Sequence, residues 1–359
     1  MAKEEKKKRH WLSRLSFGTV SLVLGVLLVL AYLSVVVDPA KAWFFTLFGL
    51  LYPLVLPLTI GLFVWALFRR SRMRGLLFLA LLPSLFFAGR YVRFRRQEPA
   101  AEPSLKVVSY NVGLFAHGDE NLSRNTRADS LCRWLLRQNA DLICLQEFYF
   151  PPSVSPASWL KEHFPGYKIE YYVLNHKFGH TGNVTLSRYP VVGKGKIDFE
   201  KSSNLALWTD IRLDSSTVRV YNCHFQSYNI SLSNLVKKDG AVEETERKMR
   251  RSIIERPKQV AEVLHGVDNA PVRSLVVGDF NDTPLSYTYY RLLRGRNDSF
   301  VKAGRGFGAT YRTLWPLLRI DYILFPKDLE AVSYTVPHVK YSDHYPIIAT
   351  YYESGRNSP

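Results

Sequence analysis

The chain has 359 residues, 47% of them hydrophobic, and carries 48 Lys/Arg against 31 Asp/Glu for a formal charge of +17. Residues 1–100 hold 15 Lys/Arg and 4 Asp/Glu, a net of +11, whereas residues 101–359 hold 33 and 27, a net of +6. The basic excess therefore surrounds the N-terminal apolar segments, which fits membrane topology and argues against a DNA-binding face as its cause. The odd count of three cysteines, Cys132, Cys144 and Cys223, gives no disulfide framework.

In chain order, residues 17–37 form an uncharged run of 21 residues behind Lys3, Lys6, Lys7, Lys8, Arg9 and Arg14. About 20 apolar residues span a hydrocarbon core as a helix, and a signal peptide has a shorter apolar region. Residues 42–68 form a second uncharged run of 27, with Pro53 and Pro57 inside it. Residues 75–89 form a third, of 15 residues, interrupted by Pro83. At 1.5 Å rise it reaches about 22 Å, short of a full span unless its flanks contribute. Residues 1–96 thus read as an all-helical membrane anchor with two or three transmembrane helices, in an integral, multi-pass protein of the bacterial inner membrane. If the third run spans, the C-terminal domain lies opposite the cytoplasmic N-terminus. If it is re-entrant, the domain stays cytoplasmic; the arginines on both sides of this run favour that case and the bare count of apolar runs favours the other, so the sequence leaves the side undecided.

Residues 97–104 read as a polar, Pro-containing linker, and residues 105–359 as the catalytic domain. Strands are expected over 105–110, 141–145, 168–173, 184–187, 205–213, 218–225, 274–277, 320–325 and 347–352, with helices over 127–139 and 252–265. Many short strands with few helices imply an α/β fold of two packed sheets with helices outside. Residues 226–257 form a polar insertion directly after His224, expected beside the cleft. His176, His180 and Asn183 line a polar stretch that could meet substrate.

Several apolar runs end in a group that can do chemistry: SerTyrAsnVal at 109–112, LeuGlnGlu at 145–147, AsnCysHisPhe at 222–225, GlyAspPheAsnAsp at 278–282, ArgIleAspTyr at 319–322 and SerAspHis at 342–344. The candidate site is Asn111, Glu147, His224, Asp279, Asn281, Asp321, Asp343 and His344. Carboxylates, amides and imidazoles without a thiol suit a hard cation and a phosphoryl oxygen. Glu147, with Asp343, would hold Mg²⁺, with Mn²⁺ as the alternative. Asp279 could hold the attacking water. His344 beside Asp321 would be an oriented imidazole, and His224 and Asn281 can donate to phosphate. No Ser, Thr or Cys accompanies a His in a nucleophile motif, so water is expected to attack phosphorus directly.

With these motifs in this order, residues 105–352 resemble the endonuclease/exonuclease/phosphatase superfamily, whose DNase-I-like fold is a four-layer α/β/β/α sandwich. The apolar N-terminal runs are similar to those of bacterial membrane-anchored members. The resemblance implies that Asn111, Glu147 and Asp343 serve the metal. It implies that His224, Asp279, Asn281, Asp321 and His344 act on phosphate and water. Gly113, where the branch resembling exonuclease III often has an acidic residue, and the histidine at 224 lead away from abasic-site repair. Expected partners are the lipid bilayer and a phosphoester substrate: a lipid headgroup, an inositol phosphate or nucleic acid. The lipid-headgroup reading comes first, a membrane-tethered DNase-like nuclease is the alternative, and a non-catalytic binding protein comes third.

Overall fold

The computed structural model describes residues 2–94, 105–176, 179–200, 202–213, 216–228 and 241–353. The expected linker and residues 229–240 of the polar insertion lie outside the described residues. Three helices open the chain: α1 (Ala2–Leu33), α2 (Phe44–Phe68) and α3 (Met73–Leu81). From Ser16 on, they are apolar around most of their circumference, as helices facing lipid must be. Ser16–Leu33, Phe44–Phe68 and Met73–Arg90 are each long and apolar enough to cross a membrane, which supports a multi-pass membrane protein. The third segment reaches that length only by including its flanks and a break at Pro83.

The helices run up, down and up. Gly25 of α1 lies against Leu76 and Ala80, and the Tyr32 hydroxyl, at the C-terminal end of α1, meets Ser84 Oγ at 2.6 Å. α1 and α3 are therefore parallel. α2 is antiparallel to both, since Ser34 abuts Gly49 while Phe63 meets Phe78.

The rest of the described chain is an α/β sandwich of two six-stranded sheets with helices outside. One six-stranded sheet has the order Leu329–Thr335 (β13), Ile347–Glu353 (β14), Leu105–Asn111 (β2), Leu142–Phe150 (β3), Gly179–Ser187 (β5) and Lys168–His176 (β4); the other has Arg296–Asp298 (β10), Asp321–Pro326 (β12), Arg273–Asp279 (β9), Thr217–His224 (β8), Leu205–Arg212 (β7) and Val191–Asp198 (β6). Its central pairs are β2 (Leu105–Asn111) with β3 (Leu142–Phe150), and β8 (Thr217–His224) with β9 (Arg273–Asp279); both pairs are parallel. The two orders mirror each other, a symmetry that no repeat in the sequence announces. Val107 and Cys144 pack between the sheets with Val220, Val277 and Ile323. Val108 and Ile143 pack outward on the helix Arg124–Arg137, through Leu131 and Leu135. Tyr221 and Val276 pack outward on Val260 and Val263 of the helix Ala241–Asp268. Burial on both faces explains why these strands read as unbroken apolar runs.

The nine expected strands are present. Others were not expected: β1 (Val92–Arg93), β6 (Val191–Asp198), β10 (Arg296–Asp298), β11 (Gly306–Phe307) and β13 (Leu329–Thr335). β6 alternates half-buried and exposed residues through Gly193, Lys194, Gly195 and Lys196, a composition that hides a strand at a sheet edge. The expected helix 252–265 is the middle of a helix that starts at Ala241 and continues through Pro257.

The anchor docks on the sandwich. Ser34 Oγ donates to Leu285 O at 2.8 Å, and a Cβ at Gly49 would lie 2.3 Å from that same carbonyl. Leu285 is buried among Leu28, Ala31, Tyr52 and Val55. Phe87 and Arg90 both lie on Tyr290, and β1 pairs with β11. The docked end of the bundle is thus the C-terminal end of α1, the N-terminal half of α2 and the end of the third span.

Candidate active site

Four strand ends of the central parallel pairs meet at one end of the sandwich. Asn111 closes β2, His224 closes β8, Asp279 closes β9 and Glu147 lies within β3. β12 (Asp321–Pro326) runs antiparallel to β9 with Asp321 directly opposite Asp279, so both carboxylates reach the same cleft. Glu147 is set by a bulge: pairing of β3 with β5 (Gly179–Ser187) breaks between Leu145 and Phe148, and Glu147 takes φ 51°. Asn281 also has φ 51°. Left-handed backbone at two non-glycine residues concentrates strain at this site.

The side chains form one network. Asn111 Nδ2 donates to Glu147 Oε1 at 3.2 Å and to Asp279 Oδ2 at 2.9 Å. Asn281 donates its backbone N–H to Asp279 Oδ1 at 2.8 Å and its amide to Asp279 Oδ2 at 3.1 Å and Phe225 O at 2.9 Å. His224 Nε2 lies 3.4 Å from Glu147 Oε1 and 3.9 Å from Asp279 Oδ2, with no hydrogen-bond partner of its own. His344 Nδ1 and Asp321 Oδ2 are 2.9 Å apart, and His344 Nε2 points at Asp279 Oδ2 across 3.7 Å. Tyr311 bridges to the His344 backbone and packs its ring edge-on against the imidazole. Asp343 turns towards the opening, where His117 Nε2 reaches its Oδ1 at 3.4 Å.

Burial sets the protonation of these groups. It pushes the Asp279 carboxyl up to about 6, with the Asp321 charge adding to it and His344 opposing it. It also raises Glu147, against the Asn111 hydrogen bond. Burial pulls the His224 imidazole below the usual histidine range. For His344 burial pulls the same way, but the charges of Asp321 and Asp279 outweigh it and hold the ring well above that range. Burial thus favours the neutral form of His224, while the two carboxylates favour the cationic form of His344.

The donor set fits a hard divalent cation. Asp279, Asp321 and His344 bring one ligand atom each within 4.8 Å of one another. Asp321 Oδ1 is buried without a hydrogen-bond partner. Glu147 and Asp343 keep 31% and 27% of their side chains exposed, facing the opening where a hydrated ion has room.

A family model described as the endonuclease/exonuclease/phosphatase family matches residues 108–344. The chain belongs to this family. A second model, described as a domain of unknown function (DUF8431), matches residues 13–91, the anchor. No curated protein sequence matches the chain. Among solved structures, an endonuclease/exonuclease/phosphatase from Beutenbergia cavernae is similar at 18% identity and TM-score 0.53, over 72% of this chain and 74% of its own. The endonuclease/exonuclease/phosphatase from Bacteroides vulgatus is similar at 16% and TM-score 0.51, over 69% and 98%. TDP2 from D. rerio, complexed with single strand DNA product, is similar at 19% and TM-score 0.50, over 69% and 98%. These structures share the family fold with this chain.

All eight candidate residues lie in or on this cleft. Other contributors were given no role by the sequence, although Gln146, Asn222 and Asp282 lie inside its motifs. Gln146 Nε2 donates to Asn222 Oδ1 at 2.7 Å, and Asn222 Nδ2 in turn reaches Val184 O at 3.0 Å, so a buried amide pair ties the two sheets beneath the site. Asn183 belongs to this layer, donating to Asn222 O at 3.0 Å; it is buried and does not face substrate. The side chain of His176 lies outside the described residues. Arg256, fully buried, pairs with Asp282 at 3.0 Å and donates to Gln226 O at 2.8 Å. It links the segments that follow His224 and Asn281. Only its position in the fold, and not its sequence neighbourhood, reveals that role.

Proposed function

We propose that this family member is a membrane-tethered, metal-dependent phosphodiesterase in which water attacks phosphorus directly. The observation that carries this reading is the convergence of Asn111, Glu147, His224, Asp279, Asn281, Asp321 and His344 on one cleft. Asp279, held by both asparagine amides, is the acceptor that orients the attacking water. His224, whose Nε2 has no hydrogen-bond partner among the described residues, faces a non-bridging phosphate oxygen, while the amide of Asn281, with both hydrogens on Asp279 Oδ2 and Phe225 O, holds Asp279 in place. His344, kept cationic by Asp321, stabilises the negative charge that builds on phosphorus oxygens. A divalent cation, Mg²⁺ or Mn²⁺, supplies Lewis-acid stabilisation when bound. Glu147 with Asp343 and Asn111 is the set we assign to it, because Glu147 and Asp343 face the opening; Asp279, Asp321 and His344 form a second cluster that could hold a cation.

For substrate, the comparisons favour nucleic acid over the lipid headgroup that the sequence put first. The matched family is named for endonucleases and exonucleases, and the similar D. rerio structure holds a single-strand DNA product. A lipid-headgroup phosphoester is the second reading, favoured by the docking of the sandwich on the apolar bundle. The test is a parallel assay of the full chain in nanodiscs with Mg²⁺ against single-stranded DNA, duplex DNA, RNA, phospholipids and inositol phosphates. Metal-dependent cleavage of a nucleic acid supports the first reading. Turnover of lipid headgroups alone moves the assignment to the second, and no turnover of any substrate counts against both.

We also propose the side of the membrane. The bundle's undocked end carries the basic N-terminus, Arg69, Arg70, Arg72 and Arg74, and short basic segments favour the cytoplasm. The catalytic domain, at the other end, then faces away from the cytoplasm.

A further inference from the structure

A groove of about 570 Å³ lies where α2 faces the sandwich; none of the catalytic candidates lines it, although Leu317 lies four residues before Asp321. Leu56 and Ile60 of α2 form one wall, and Phe307 and Leu317 of the catalytic domain form the other. The first wall belongs to a helix that crosses the membrane by length and composition, so the groove opens to hydrocarbon. Water does not fill an apolar space of this kind stably. Around it stand Phe94, Phe307 and Trp315, 97%, 49% and 43% exposed, an aromatic cluster on the domain edge that suits the headgroup level of a bilayer.

The groove is not purely apolar. Tyr52 and Tyr91 line it with their rings, while their hydroxyls are buried away from it, near Ser84 and Thr283. Arg93 also lines it, lies over Gly89 and makes no ion pair among the described residues. A cation at this depth calls for an anionic oxygen, and a phosphate provides one. An apolar slot edged by a guanidinium that makes no ion pair among the described residues matches a single amphiphile.

We propose that this groove binds a membrane phospholipid, with one acyl chain between α2 and Leu317 and the phosphate on Arg93. The bound lipid fills the seam between anchor and catalytic domain. The proposal does not depend on which phosphoester the active site cleaves, or on its cleaving one.

The test uses the full chain in nanodiscs containing phosphatidylglycerol with a diazirine on one acyl chain. After photolysis, crosslinked peptides are mapped by mass spectrometry. The expected labels fall on the peptides holding Phe307 and Leu317, besides the lipid-facing Leu58 and Phe68. Leu317→Trp, and independently Ile60→Trp from the opposite wall, should abolish the Phe307 and Leu317 labels and leave those on Leu58 and Phe68. Arg93→Gln should weaken the groove labels for phosphatidylglycerol. Labels confined to Leu58, Phe68 and other outward helix residues would overturn the proposal. So would groove labels that persist undiminished in both tryptophan variants.

Discussion

Glu147 combines a left-handed backbone, a desolvated carboxylate and a position at the mouth of the cleft. Its folded-state pKa is raised, so near neutral pH the fold disfavours its ionised form relative to the unfolded chain. Glu147→Gln removes that penalty together with the metal-binding charge. The metal-free variant is expected to melt at or above the parent temperature, to lose the Mg²⁺-induced rise in melting temperature and to lose activity by roughly 10²-fold or more. Thermal scans with and without Mg²⁺, beside an activity assay, check all three. His344 and Asp321, at 2.9 Å, should behave as one unit. His344→Ala and Asp321→Asn are each expected to impair turnover, and the double variant to lose far less than the product of the two losses. Multiplicative losses would separate the pair. The site was legible at this scale because each group ends a short apolar run, as in ValValSerTyrAsn and LeuValValGlyAsp. His117 was not, since only the turn at Gly113–Phe115 brings it back onto Asp343.

Strand ends work as catalytic positions only if the neighbouring backbones approach closely. Gly278, just before Asp279, has φ 130°, and a Cβ there would lie 2.0 Å from Cys223 O. Both the dihedral and the β8–β9 spacing require glycine. Gly278→Ala is expected to destabilise the protein by about 3 kcal/mol or more, read as a large fall in melting temperature, with activity falling too as Asp279 shifts. The central strands were readable because burial on both faces makes them apolar throughout. The edges were not: β6 and β13 sit at sheet margins, where Lys194, Lys196 and Glu330 face water and blur the alternation. The helix Pro156–His163 also escaped, because only Leu160 within it is buried.

For the whole molecule, the question is how far anchor and enzyme are separate. The proposed division at residues 97–104 predicts that residues 105–359 fold alone. The docked contacts, however, leave Leu285, Tyr290 and Phe307 newly exposed in such a truncation. We expect a chain starting at Leu105 to melt lower than the full chain in nanodiscs and to need detergent for solubility. Equal stability without detergent would show that the docking contributes nothing. Topology is checked by cysteine labelling, since Cys132, Cys144 and Cys223 are buried and silent. In spheroplasts, an impermeant maleimide should label Ser158→Cys and spare Ser71→Cys in the α2–α3 turn; the reverse pattern places the domain in the cytoplasm. Composition made the three apolar runs plain. Their arrangement was not legible, because the arginines flanking the third run argued against its crossing, and only packing shows which helix ends lie together.

The contact between Gly49 and the Leu285 carbonyl has a consequence for inheritance. No side chain fits at residue 49, and Leu285 lies only four residues beyond Asn281 in the catalytic motif segment. The two halves therefore cannot vary independently at this seam. A chimera that gives the sandwich an unrelated membrane span would lose the matching surface, so the anchor and the hydrolase are expected to descend together as one evolutionary unit.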